Sequence, residues 1–579
     1  VDVRRAIFWD RYSSAMLLVV VTAALYSGSL LNGFVFDDDL QVLANPWIRD
    51  ARHLPEIFGN QVWAFAGRDS NYYRPLMHVV YAAVYLPFGP IAAVFHGINL
   101  LLHLATTLMA FALIRRLVPL PDRGDATSFP LTALLAALLF AAHPIHVEAV
   151  AWISGLPDLA CGTFYVAALL AFVASWDSPN RPGVLHVAGA ACFLAAALFK
   201  EPGVTLPVVV AALDLARRPT GRGAAYWAVR YGAIASAGAI YMALRLSALG
   251  GVVPHASESH FGILQAIDLA GVAMWRYVAM LVFPYPLNAF QTMDTATGLP
   301  SWIALVMFPV AAILAVWRRS VAWTAALAIF LVPLVPALYA PALLPGLDNP
   351  WAERYVYLPS VGFVVAVAIA ITAASGANAT NRGVRVAFLL SILLLFSGMT
   401  MARVRVWRDD VTFWRDVAAK SPAAGVAHAG LGHALFVGGD VDGAVIEYEL
   451  AIGLKPDHAD SHLNLGVALA GQGRHEAALR HYAEALRLQP NRAVAHANLA
   501  ISLSALGHRD DALSEARRAV ELQPDDAIGH HALGVALGNA GRVADAAYEF
   551  RRAIELDPTD AGSRANLERA EGLLQQKMP

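Results

Sequence analysis

Three adjacent carboxylates, Asp37-Asp38-Asp39, stand between Phe34-Val35-Phe36 and Asn45-Pro46. In open water such a run is an ordinary solvated loop. Beside apolar neighbours and like charges, at least one member has its pKa raised toward the range of a general base. From the run alone both readings stay open. Other polar residues fall at the same end of their apolar segments. His96, Asn99 and His103 follow at i, i+3 and i+7. His143, His146 and Glu148 end another run, Lys200 and Glu201 read as a charged pair between two more, Glu353-Arg354 opens a later one, and Arg74 precedes residues 76–88. An ionisable group at membrane depth costs several kcal/mol unless it is paired or faces a wet cavity, so it is a functional candidate by default. Singly, each also reads as an interface anchor or a helix cap. Together they describe acidic groups able to deprotonate a hydroxyl and cations able to hold a phosphate. That chemistry suits transfer of a group from a lipid-linked phosphate to an acceptor.

The elements that must position these residues are membrane helices. The 579 residues are 58% hydrophobic and 15% charged, where soluble domains carry about 25% charged residues. The deficit is uneven, because apolar runs extend to about Met401 and a charged, Ala-rich chain follows from about Arg403. The step implies two solvents and a domain boundary. Candidate spans are 15–31, 91–114, 129–142, 158–176, 184–199, 202–216, 226–248, 301–317, 322–341, 357–374 and 384–401. Segment 76–88 is too short, and 264–283 carries Asp268 and Arg276, so neither is expected to cross. Lys and Arg gather in short cytoplasmic loops. With 11 spans, Arg4/Arg5/Arg11, Arg115/Arg116, Arg217/Arg218, Arg318/Arg319 and Arg382/Arg385 all lie inside. The N-terminus is then cytoplasmic, behind an uncleaved signal anchor. The first outer loop, 32–75, and the C-terminal region are extracytoplasmic. Trp47 to Leu54 reads as an amphipathic helix in the interface, with a plain surface loop as the alternative. Cys161 and Cys192 lie in apolar runs and read as core residues. A net charge of −2 with no basic run gives no support for nucleic-acid binding.

The C-terminal region is periodic. Proline recurs at 422, 456, 490, 524 and 558, always 34 residues apart, with Leu431-Gly432, Leu465-Gly466, Leu499-Ala500 and Leu533-Gly534 in register. Ala444, Ala478, Ala512 and Ala546 follow, then Tyr448, Tyr482, Ala516 and Phe550. This is the tetratricopeptide pattern, a stack of antiparallel helix pairs forming a solenoid. The fold class is thus all-α: a polytopic membrane domain at 1–402, a linker at 403–424, repeats at 425–458, 459–492, 493–526 and 527–560, and a capping helix at 561–579. His428, His462, His496 and His530 repeat with the same period. They read as packing residues, with a metal ladder as the alternative.

The motifs Phe34-Val35-Phe36-Asp37-Asp38, Tyr73-Arg74-Pro75-Leu76 and His96-x-x-Asn99-x-x-x-His103 resemble those of the transmembrane and tetratricopeptide-repeat O-mannosyltransferases. So do His143-Pro144-Ile145-His146-Val147-Glu148, Lys200-Glu201-Pro202-Gly203 and Glu353-Arg354 with Tyr357-Leu358-Pro359-Ser360. The resemblance runs in order along nearly the whole chain. It implies a GT-C superfamily glycosyltransferase fold, a polyprenyl-phosphate monosaccharide donor, inversion at the anomeric carbon, and an extracytoplasmic acceptor such as protein Ser/Thr, recruited by the repeats. Asp37 or Asp38 would be the catalytic base. Arg74, Lys200 and Arg354 would hold the donor phosphate and sugar, with His96, His143, His146, Glu148 and Glu353 around them. Asp39 is an extra carboxylate. Animal members usually carry more than the four repeats present here. Four lysines in a chain rich in Ala and Arg point to a compact bacterial relative in a cytoplasmic membrane. No cofactor is called for. Asp37, Asp38 and Glu148 could bind a divalent metal, but a hard cation prefers a fuller oxygen shell. The competing functions are a non-catalytic membrane-anchored repeat scaffold and, less favoured, a transporter.

Overall fold

The computed structural model describes residues 3–118, 128–178, 182–251, 262–290, 300–338, 351–374 and 379–576. It divides into two compact units, Val1–Phe413 and Trp414–Pro579. Among the described residues every regular element is helical. Inside a bilayer this follows from the backbone, whose N–H and C=O groups find no water and must pair within each segment.

Among the described residues, eight helices of the first unit are long and apolar enough to cross a membrane, including Tyr12–Leu31, Ala92–Leu117, Ile153–Ala174, Pro182–Phe199 and Ala224–Leu249. A ninth candidate is the pair Leu131–Ala142 and Pro144–Ala151, bent by 45°. Pro144 lacks an N–H and ends the first helix, and the bend places His143, His146 and Glu148 in the protein interior. The expected eleven spans are therefore not all met by length and apolarity. Pro75–Phe88, Leu305–Trp317 and Pro359–Ala373 are shorter apolar helices. Segment 202–216 divides into a 3-10 turn, Glu201–Thr205, and the helix Leu206–Arg217. In the other direction, Leu264–Val282 qualifies despite its charges. Arg276 lies 5.5 Å over the ring of buried Trp351, which gives its charge a partner that sequence distance conceals.

The stretch expected as one amphipathic helix at 47–54 forms two 3-10 turns, Pro46–Ile48 and Ala51–His53, before a short helix, Leu54–Gly59. The side chains of Asn45 and Asp50 cap the two turns. Residues 403–424, read as a linker, contain the helix Asp410–Lys420.

The second unit stacks helix pairs from Gly425–Val437 and Val441–Leu454 to Ala527–Asn539 and Val543–Leu556, closed by Ala561–Gln576. Each pair turns on a glycine of positive φ, at Gly439, Gly473, Gly507 and Gly541. Tyr448, Tyr482 and Phe550 press on Gly432, Gly466 and Gly534, where a Cβ would meet the ring within 2.8, 2.5 and 2.6 Å. In the third repeat both partners are small, Ala500 and Ala516, and both are fully buried. The periodic histidines bridge the two helices of a repeat. His428, His496 and His530 set Nδ1 against Glu447, Glu515 and Glu549 at 2.7, 2.5 and 2.6 Å, with Nε2 facing the preceding proline carbonyl. In the second repeat His481 replaces the glutamate, at 3.2 Å from His462.

Candidate active site

The acidic run is held by a strained turn. Phe36 has φ of 58°, in the left-handed region that a bulky side chain seldom occupies, at a cost of about 1–3 kcal/mol. Its N–H donates to Asp410 at 2.8 Å, and its ring stacks between Trp152 and Phe413 at 5.9 and 6.1 Å. This turn sends the next two carboxylates in different directions. Asp38 is fully buried and accepts from Val35 N at 3.0 Å, Ser154 N at 2.8 Å and Ser154 Oγ at 2.6 Å. Burial pushes its carboxyl up to about 7, against the pull of those donors. Asp37 is half-buried, and its carboxylate has no hydrogen bond among the described residues. Burial pushes it up to about 6, while Arg354 and Arg68 pull it down. Asp39 is exposed and begins the helical turn Asp39–Leu43.

The three cations come together, each with a carboxylate. Arg74 Nη2 meets Glu201 Oε2 at 2.8 Å, and its guanidinium covers Tyr72 at 4.3 Å. Lys200 Nζ lies 2.6 Å from both oxygens of Asp158. Arg354 Nη1 pairs with Glu148, whose other oxygen accepts from Arg354 N at 2.9 Å. Lys200 and Glu201 therefore face different partners and are not a pair. Burial, together with Arg74 and Arg354, pushes Lys200 below its ordinary range, against the attraction of Asp158. Tyr355 lies under two of the cations, 5.0 Å from Lys200 and 5.2 Å from Arg354. A cavity of about 20 Å³ between Asp158, Lys200, Arg354 and Tyr355 has room for a water molecule but not for a sugar.

The remaining candidates are turned to structural partners. His96 Nε2 lies 3.2 Å from Gly33 O, at the entry to the acidic loop. Both nitrogens of His143 are engaged, with Leu281 O at 2.9 Å and Ile145 N at 3.3 Å. His146 Nε2 meets Ser360 Oγ at 2.8 Å. Glu353 is fully buried against Arg403 at 2.7 Å. Asp158, Ser154, Tyr355 and Arg68 were not singled out from the sequence. Asp158 follows Leu156-Pro157 in the first turn of its helix, which reads as an ordinary helix start. The described residues include no group of three or more His, Cys, Asp or Glu arranged to hold a metal ion.

Fold and site together define an integral membrane protein with a charged cavity at one end of its helices, carrying a tetratricopeptide-repeat unit. A tetratricopeptide-repeat family model matches residues 430–493 and 498–561. A protein O-mannosyl-transferase of Caenorhabditis elegans is 25% identical over 458 residues, covering 76% of this chain and 63% of the relative. One from Drosophila melanogaster is 30% identical over 224 residues, covering 34% of this chain and 24% of its own length. A human one is 28% identical over 222 residues, covering 36% and 29%. The chain thus resembles the O-mannosyltransferases, as its motifs implied, and spans less than two thirds of the length of each of these relatives. Among solved structures, a Thermus thermophilus tetratricopeptide protein is 22% identical, covering 31% of this chain and 94% of its own, at a TM-score of 0.25.

Proposed function

We propose that the membrane unit is an inverting glycosyltransferase. It moves a monosaccharide, mannose or a similar hexose, from a polyprenyl-phosphate donor to a hydroxyl of an extracytoplasmic acceptor, with the repeats recruiting a protein acceptor. The observation that carries this reading is Asp37, a half-buried carboxylate without a hydrogen bond among the described residues, raised to about 6 and lying in the field of Arg354. Such a group is charged at neutral pH yet basic enough to take a proton.

In the proposed step the acceptor oxygen attacks the anomeric carbon from the face opposite the phosphate. Its proton passes to Asp37. The bond from carbon to phosphate oxygen breaks, and the lipid phosphate leaves with the electron pair. Arg354, Lys200 and Arg74 stabilise the charge that develops there. Among the described residues Arg354 engages Glu148 through Nη1 and its backbone N–H, which leaves the donors of Nε and Nη2 for an oxyanion. Asp38, with both oxygens engaged, positions the loop. Donor entry requires Tyr355 to swing from between Lys200 and Arg354.

The test supplies purified full-length chain in detergent with polyprenyl-phosphate mannose and Ser/Thr peptides, and reads the anomeric configuration of the product by NMR. An inverted glycopeptide is expected. Transfer with retention, or transfer only from a nucleotide sugar, overturns the proposal.

A further inference from the structure

At the opposite end of the same helices lies a second polar constellation. Helix Leu156–Ala174 starts beside Asp158 and ends at Ser175, helix Pro182–Phe199 returns to Lys200, helix Leu206–Arg217 leaves again, and helix Ala224–Leu249 starts anew. Residues 175–178 and 218–223 therefore share the membrane face away from the candidate active site. Buried Asp214 accepts from Arg230 Nε and Nη2 at 2.7 and 2.8 Å, Trp176 Nε1 at 2.7 Å and Tyr231 Oη at 2.9 Å. Arg222 donates to the carbonyls of Ser175, Trp176 and Ser178, and Arg217 pairs with Asp177 at 3.3 Å.

Arg218 is different. Its exposed guanidinium has no hydrogen bond or ion pair among the described residues. Its backbone sits at φ 44°, ψ 67°, the left-handed position after a helix that normally belongs to glycine. A strained arginine where glycine would serve calls for a functional explanation. Beside it opens a cavity of about 460 Å³, lined by Asp214, Leu215, Arg218, Pro219, Trp227 and Tyr231 among others. Trp227 and Tyr231 stack at 6.1 Å and 21°. Tyr231, held by Asp214, is 36% exposed, and Leu215 is 58% exposed.

We infer that this cavity binds the headgroup of an anionic phospholipid. The uncompensated cation meets the phosphate, the aromatic pair lies at headgroup depth, and Leu215 faces the first carbons of an acyl chain. Basic pockets between membrane helices hold acidic headgroups for the same reasons. The site is independent of any transfer chemistry.

The test measures thermal unfolding of the purified full-length chain in mixed micelles. Dioleoyl-phosphatidylglycerol, dioleoyl-phosphatidylcholine or free sn-glycerol 3-phosphate is added to wild type, to Arg218→Gly and to Trp227→Leu. Arg218→Gly removes the cation and relieves the backbone, so it folds at least as well without lipid. Phosphatidylglycerol should raise the wild-type midpoint by about 2–4 °C, with little effect of phosphatidylcholine, and the rise should vanish in Arg218→Gly and shrink in Trp227→Leu. An undiminished rise in Arg218→Gly, an equal rise with phosphatidylcholine or with glycerol 3-phosphate, or no rise in wild type overturns the assignment.

Discussion

Replacing Asp38 by asparagine should make the chain less stable in acid and more stable in base, with the two stability curves crossing. Asp38 is fully buried, and burial raises its carboxyl from 3.8 to about 7. Ionising it in the folded chain is then harder than in the unfolded chain by about 4 kcal/mol, at about 1.4 kcal/mol per tenfold change in proton affinity. A raised carboxyl binds its proton more tightly when folded. The wild type therefore has its full stability below pH 4 and loses it as the pH rises through about 7. Asparagine carries no such dependence, but it cannot reproduce both acceptors. Val35 N–H lies on one oxygen and Ser154 N–H on the other, so in either orientation the amide nitrogen faces a donor. That mismatch costs about 1–3 kcal/mol at every pH. The difference between the two proteins should change sign between about pH 4.5 and 6, and favour Asp38→Asn at pH 8 by about 1–3 kcal/mol. Unfolding in mixed micelles, titrated with SDS at a series of pH values, measures it. A difference that stays constant with pH would refute the claim that burial governs this carboxyl.

Three further outcomes follow from the packing. Lys200→Met strands the buried carboxylate of Asp158 and should destabilise by about 3–5 kcal/mol, and adding Asp158→Asn should restore most of the stability without restoring transfer; denaturation and transfer assays on the single and double variants check both. Gly203→Ala sets a Cβ within 2.5 Å of the Ala196 and Ala197 backbone, so it should destabilise by about 1–3 kcal/mol and lower transfer by displacing Lys200 and Glu201. His481→Glu gives the second repeat the partner that the other three histidines have, and should slow hydrogen exchange in helices Ala459–Gly471 and His475–Leu488 by about 0.5–1.5 kcal/mol.

What the chain discloses on reading depends on the range of the contact. The 34-residue period is legible because glycine and aromatic meet within one repeat, as Gly466 and Tyr482 do. The acidic run and its cations are legible as chemistry, because ionisable residues are rare in apolar sequence. Their pairing is not. Lys200 reaches Asp158 across 42 residues, Arg74 reaches Glu201 across 127, and Arg354 reaches Glu148 across 206. Adjacency therefore suggested a Lys200–Glu201 pair that the fold does not make. The different surroundings of Asp37 and Asp38 are hidden for a related reason, since they depend on the positive φ of Phe36 and on Ser154, which lies on a distant segment. His143 and Glu353 stand out by the same criterion of rarity, while the partners the fold gives them, Leu281 and Arg403, lie 138 and 50 residues away and are not legible in the sequence.

The most direct measurement is the pH profile of kcat/KM for sugar transfer by wild type and Asp37→Asn, which reports the groups of the free enzyme. The wild-type rate should fall in acid with a midpoint near the value of about 6 set by burial, and the variant should lose about 10²–10⁴-fold in rate and have no such midpoint. Transfer by Asp37→Asn within a few-fold of wild type, with the acid limb intact, would contradict the assignment of Asp37 as the group that takes the proton.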